Sequence, residues 1–137
     1  MSEPAQAPRG RLEALAAEVR ERAYAPYSGY TVGAALEAED GSVFTGCNVE
    51  NASYSVTCCA ERSALFAAIS AGARSFRRIV VMAGGNAPYP CGTCRQALAE
   101  FAPELEIVVV TDDGGRHQFT LGGLLPHPFR FEKGRQA

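Results

Sequence analysis

Long apolar runs are missing from this sequence. None reaches the roughly 18 residues that a bilayer-crossing helix needs, so a membrane-embedded role is not expected. Excess positive charge is missing too. Lys and Arg number 13 against 15 Asp and Glu, for a net charge of -2 at pH 7. The basic residues are scattered and form no stripe of the kind that binds polynucleotides, so no nucleic-acid polymer is expected as partner. The opening Met1-Ser2-Glu3-Pro4 lacks the basic-then-apolar order of a secretory leader. The expected compartment is therefore the cytoplasm, where thiols stay reduced. Histidine occurs only twice, at His117 and His127, and both read as surface residues. No internal repeat and no long linker divides the chain.

What is present is one ordinary domain. The chain has 137 residues, 47% of them hydrophobic, which is enough for a real core. Residues 10–131 are expected to form that domain, with 1–9 and 132–137 as flexible tails. Leu12, Leu15, Ala16, Val19 and Ala23 recur at helical spacing, and a helix is expected over 10–24, ended ahead of Pro26. Strands are expected over 30–36 and 43–49, joined by a turn at Asp40-Gly41. A helix follows over 59–71, stopped by Gly72. Next come a strand at 79–82, a helix over 91–101 between Pro90 and Pro103, and a strand at 107–110. An edge strand at 116–120 and a helical turn at 121–125 complete the order. Two strand-helix-strand units, 43–82 and 79–110, imply parallel pairing, whereas the hairpin makes the sheet mixed. The expected class is α/β, a three-layer α-β-α fold with a mixed five-stranded sheet. Its ligand site should lie beyond the carboxyl ends of the parallel strands.

Three cysteines fall at that end. Cys91 and Cys94 share one helix face, and Cys59 opens the other helix. Helix N-termini stabilise thiolates. Three converging thiolates suit zinc and leave its fourth position open, as in catalytic rather than structural sites. Glu61 lies two residues after Cys59, a spacing that faces away on a regular helix. At the half-helical first turn, however, both side chains can lean over the helix end, which would let Glu61 move a proton without being a ligand. Each feature also has a plainer reading. Cys91-Gly92-Thr93-Cys94 alone suits a thioredoxin-like redox pair. Cys47 or Cys58 could supply a fourth thiolate and close the site, although both read better as packing residues. Glu61 alone would be a helix-dipole partner, Asn48 and Glu50 solvated residues on one strand face, and Arg62 and Arg95 surface helix charges. Tyr30 and Phe129 would be core or rim aromatics.

The blocks Cys59-Ala60-Glu61-Arg62 and Pro90-Cys91-Gly92-Thr93-Cys94-Arg95-Gln96 carry the signature of zinc-dependent nucleoside deaminases. Tyr24-Ala25-Pro26-Tyr27-Ser28, Val32 to Leu36 and Gly46 to Tyr54 extend the match from about Arg22 to Phe129. Over that range the chain resembles the small homotetrameric cytidine deaminases of the cytidine and deoxycytidylate deaminase family. The resemblance implies hydrolytic deamination of cytidine and deoxycytidine, a pyrimidine salvage reaction, with one zinc per chain held by Cys59, Cys91 and Cys94. It implies Glu61 as proton shuttle, Asn48 and Glu50 on the ribose 3′-hydroxyl, and the Ala60 backbone and Tyr30 ring on the base. Arg62 would neutralise thiolate charge. Ala52, Tyr54 and Phe129 would reach a neighbouring subunit's site in a homotetramer. Two positions depart from the pattern: Tyr30 stands where Phe is usual, and Tyr89 where a small residue is common. Other readings are a deaminase of a cytosine-containing antibiotic such as blasticidin S, a non-catalytic zinc module and a polynucleotide editor. The last is disfavoured by the charge.

Overall fold

A computed structural model describes the backbone over residues 3–131 and the side chains over 10–131. Helix α1 (Glu3–Arg20) leads to the hairpin of β1 (Val32–Ala38) and β2 (Val43–Cys47). A single 3-10 turn (Tyr54–Val56) precedes α2 (Ala60–Ser70) and β3 (Phe76–Ala83). Then come α3 (Gly92–Ala99), β4 (Glu106–Thr111), β5 (Arg116–Thr120) and the short α4 (Leu121–Leu124). The five strands form one sheet in the order β2-β1-β3-β4-β5.

Pairing in that sheet is mixed. β1 is antiparallel to both β2 and β3, β3 is parallel to β4, and β4 is antiparallel to β5. Alternation along the strands divides their side chains between two faces. Ala35, Val80, Val108 and Val110 pack with Leu12 and Ala16 of α1 on one face. Ala34, Leu36, Ile79, Val81, Ile107 and Val109 pack with Ala64, Leu65 and Ala68 of α2 and Leu98 of α3 on the other. These are the three layers expected.

Two glycines set how closely the helices sit. A Cβ at Gly33 would fall 2.1 Å from the Ala16 carbonyl oxygen of α1, and one at Gly46 would fall 2.3 Å from the Ala64 nitrogen of α2. Both helices therefore rest on bare backbone. At the sheet end where β3 begins, buried Glu37 meets Arg77 at 3.1 Å and Arg78 at 3.0 Å, and Arg78 reaches Glu106 at 2.7 Å.

Three expectations need correcting. The first helix starts at Glu3, inside the stretch expected as a tail, with Pro4 in the tolerant first turn and Pro8 and Gly10 within the helix against their usual preference. It ends at Arg20, well short of 24, because the Tyr24 N–H donates to the Asn48 carbonyl at 3.0 Å and Tyr24 bridges to Val49. The strands at 43 and 79 run in the same direction but are not paired, since β1 lies between them and bonds to both. Asn48 and Glu50 do not continue the strand, which stops at Cys47. The tail expected at 132–137 lies outside the described residues.

Candidate active site

β2 and β3 run the same way, so the connections leaving them emerge at the same sheet end. One leads to Cys59, the residue that caps α2, and the other to Cys91, which caps α3. Both cysteines have extended backbone (φ -73, ψ 157 and φ -71, ψ 170), and neither sulfur caps a backbone N–H of the helix it precedes. The sulfurs therefore project past the helix starts. In a helix, the cap and the third residue after it converge on the same spot, as in a capping box. Cys91 and Cys94 stand in that relation in α3, and Cys59 and Arg62 stand in it in α2. The four groups at the centre are thus two cap pairs from two facing helix ends.

Cys59, Cys91 and Cys94 place their sulfurs within 4.8 Å of one another. The Cys59 and Cys91 sulfurs are 3.8 Å apart. A tetrahedral zinc with bonds of about 2.3 Å needs ligand sulfurs separated by about 3.8 Å, so spacing and donor type fit the metal. Neither Cys47 nor Cys58 belongs to the cluster. Cys58 instead receives the Ser63 hydroxyl at 3.7 Å and faces the Cys59 carbonyl at 3.6 Å. The closed four-thiolate site is therefore not formed.

Arg62 binds the sulfurs from the side. Its Nε donates to Cys94 at 3.4 Å and its terminal nitrogen to Cys59 at 3.4 Å. Among the protein's own groups, Cys59 is the favoured thiolate. Hydrogen bonds from Cys94 and then Arg62 hold its thiol down to about 5. Cys94, as the partner that keeps its proton, is pushed up. The two sulfurs in turn hold the Arg62 guanidinium firmly charged.

Glu61 occupies the second position of α2 and is only 5% exposed. Burial pushes its carboxyl up to about 7, with the Cys59 charge adding to the rise. Its proton is therefore exchangeable near neutral pH. Ala60 beside it is fully buried. Tyr30 packs against the same core, and its phenol is raised by burial and then by the Glu61 charge.

Asn48 is 8% exposed. Its Oδ1 accepts from the Val32 N–H at 2.9 Å and its Nδ2 donates to the Tyr30 carbonyl at 2.8 Å. One donor and one acceptor site of the amide stay free of these bonds. The Glu50 carboxylate accepts from the Tyr27 and Ser28 N–H groups at 2.9 and 3.1 Å and from the Ser28 hydroxyl. These bonds, the hydroxyl's first, hold its pKa below the usual carboxylate range. Glu50 lines a groove of about 350 Å³ with Tyr27, Ser28, Asn51, Tyr54 and Thr57.

Three residues expected at a neighbour's site lie on the outside of this chain. Ala52 is exposed, Tyr54 is 78% exposed and Phe129 is 69% exposed. Sequence reasoning missed Asn86, whose carbonyl accepts the Tyr30 hydroxyl at 2.7 Å. The departure at Tyr30 thus ties two loops together. Tyr89 turns away toward β5, its ring 5.9 Å from His117 and 5.8 Å from Phe119. Arg95 and Gln96 were legible as part of the cysteine block, but their partners, the Pro90 and Leu124 carbonyls and the Phe129 backbone, were not.

The family described as the cytidine and deoxycytidylate deaminase zinc-binding region matches residues 9–111. The chain belongs to this family. It is 48% identical over 124 residues to a cytidine deaminase of Sporosarcina psychrophila, covering 89% of this chain and 91% of that protein. It is 40% identical over 119 residues to a cytidine deaminase of Mycobacterium tuberculosis, covering 86% of each. The crystal structure of cytidine deaminase from Burkholderia pseudomallei superposes with a TM-score of 0.84 at 48% identity, covering 88% of this chain and 98% of that one. A cytidine deaminase from Bacillus anthracis keeps the fold at 18% identity, with a TM-score of 0.69. This deaminase-family chain is a zinc protein, with Cys59, Cys91 and Cys94 positioned to hold one ion. Among the described residues, no helix is long and apolar enough to cross a membrane.

Proposed function

We propose that the protein is a zinc-dependent hydrolase that converts cytidine and deoxycytidine, with water, to uridine and deoxyuridine, releasing ammonia. The observation that carries this reading is a three-sulfur cluster at two helix starts, with the buried carboxyl of Glu61 in the same first turn that Cys59 caps. Zinc, when held by the three thiolates, supplies a Lewis acid with one position open to a water whose pKa it lowers. Glu61 accepts a proton as water adds to C4 of the cytosine ring and passes it to the ring nitrogen N3. It then takes the remaining proton from the new C4 hydroxyl and delivers it to the C4 amino group, so that the C4–N bond breaks, ammonia leaves and the C4 carbonyl of the uracil ring forms. A carboxyl with a pKa near the working pH suits a group that must both take and give protons.

Arg62 spreads the surplus negative charge of the thiolates through its two bonds to sulfur. The Ala60 backbone and Tyr30 ring meet the base. Asn48 and Glu50 meet the ribose 3′-hydroxyl, and both are held rigid by the backbone bonds described above. Ala52, Tyr54 and Phe129, exposed here, enter the site of a neighbouring copy in a homotetramer. The cytoplasm is the compartment that fits this role.

Mixing the purified protein with cytidine is expected to bleach the nucleoside's absorbance band, and prior chelation is expected to stop it. Glu61→Gln should keep its zinc and lose turnover by about 10²–10⁴-fold. Near-normal turnover in that variant would remove Glu61 from the chemistry. Comparable efficiency on free cytosine and cytidine would remove Asn48 and Glu50 from sugar binding. A faster rate on blasticidin S than on cytidine would assign the antibiotic as substrate.

A further inference from the structure

Past Leu125 the described chain enters neither helix nor strand. Two side chains of α3, immediately after Cys94, fasten this segment and the end of α4 that leads into it. The Arg95 guanidinium spans two carbonyls, with Nε on Pro90 at 2.8 Å and a terminal nitrogen on Leu124 at 3.0 Å. Pro90 directly precedes Cys91, so Arg95 joins the start of the metal-binding helix to the end of α4. Gln96 takes hold five residues further along. Its Nε2 donates to the Phe129 carbonyl at 3.0 Å, and its Oε1 accepts from the Phe129 N–H at 3.1 Å. A carboxamide carries a donor and an acceptor side by side, as a peptide unit does. Gln96 therefore pairs with the Phe129 backbone as one rung of a β-ladder would.

This clamp fixes the backbone of a residue whose ring is left in solvent. Phe129 stands edge-on to Phe131, with centroids 5.5 Å apart, and Phe131 is 73% exposed. Holding an apolar ring pair outward gains nothing within this chain. It lowers the ordering cost of docking on a partner.

We infer that Arg95 and Gln96 are positioning residues: Gln96 binds the Phe129 segment to the metal-bearing helix and Arg95 anchors the end of α4 that leads into it, so that the Phe129 ring is preset for the base pocket of a second copy of this chain. The inference rests on the reading that Phe129 covers a neighbour's base, and it adds the device that sets the ring. Each subunit's own cysteine helix thereby aims the cover of the adjacent site. A loosened clamp costs order in the free ring segment. The penalty falls on substrate binding, while Glu61 and the thiolates are untouched.

The decisive experiment pairs hydrogen exchange at the Phe129 amide with steady-state kinetics on cytidine in the zinc-loaded protein. Gln96→Leu removes both bonds; Gln96→Glu keeps the acceptor for the Phe129 N–H and loses the donor. Exchange is expected to quicken by about tenfold in Gln96→Leu and by less in Gln96→Glu. KM should rise several-fold with kcat nearly constant. Phe129→Ala should raise KM at least as much. Unchanged exchange in Gln96→Leu overturns the clamp. Faster exchange with an unchanged KM, while Phe129→Ala raises KM, overturns the positioning role. If Phe129→Ala leaves KM unchanged, the cover reading fails, and the exchange result still decides the clamp. Should Gln96→Leu lose zinc or fold poorly, Gln96→Glu decides by the same criteria.

Discussion

Three thiolates around one divalent ion leave a negative centre, and Arg62 is the side chain whose geometry answers it. Its two nitrogens reach two different sulfurs at 3.4 Å each. A lysine, with a compact ammonium, can approach such a pair only as a point charge. Arg62→Ala is therefore expected to release zinc to a competing chelator about 10–100-fold more readily, with turnover falling in step. Arg62→Lys should fall between the two. Unaltered zinc retention in Arg62→Ala would leave the residue a packing role only. At this scale the sequence was informative where chemistry is local. The three-residue spacing of Cys91 and Cys94 put them on one helix face and made their convergence readable without coordinates. The partners of Asn48, Glu50 and Tyr30 were not readable, because most are backbone groups, and where the chain carries them depends on loop paths that no side-chain pattern encodes. The Tyr30 hydroxyl on the Asn86 carbonyl is a contact between positions 56 apart in sequence.

Helices α1 and α2 rest on opposite faces of the sheet, each against a glycine. A methyl group at Gly46 would meet the Ala64 nitrogen at 2.3 Å and the Ala60 carbonyl at 2.8 Å, both backbone atoms of α2. The helix must back away, and it carries Cys59, Glu61 and Arg62 at its start. Gly46→Ala is expected to destabilise the fold by about 1–3 kcal/mol or more and to weaken zinc binding. Gly33→Ala meets the Ala16 carbonyl and Arg20 of α1. It should cost comparable stability and spare the metal. Urea unfolding and zinc content of both variants check this, and equal zinc loss in the two would refute the division between faces. Element order was readable from apolar periodicity, because buried strands such as Ile107 to Val110 and helix faces such as Ala64-Leu65-Ala68 repeat with different periods. Strand order was not. Placing β1 between β2 and β3 is a matter of which edges meet, and the turn at Asp40-Gly41 joins the two strands of the hairpin in either order.

An isolated copy of this chain leaves Tyr24, Tyr27, Tyr54, Phe66, Phe129 and Phe131 each more than half exposed. So many large apolar rings on a 14.5 kDa protein mark association surfaces. The protein is expected to run as a tetramer in light scattering, and Tyr54→Ala and Phe129→Ala should impair activity there without touching the cysteines. An active monomer would refute the shared site.

The two cap cysteines lie 32 residues apart in sequence. An ion gripping both closes a loop containing all of α2 and β3, much as a covalent cross-link would. For a closure of that length, the chain-entropy relation for cross-links gives about 4 kcal/mol taken from the unfolded ensemble. The metal is thus a reversible staple as well as a reagent. A cell short of zinc would hold this protein with its α2–β3–α3 unit untied, so supply of the ion governs how long the chain survives as well as how fast it turns over.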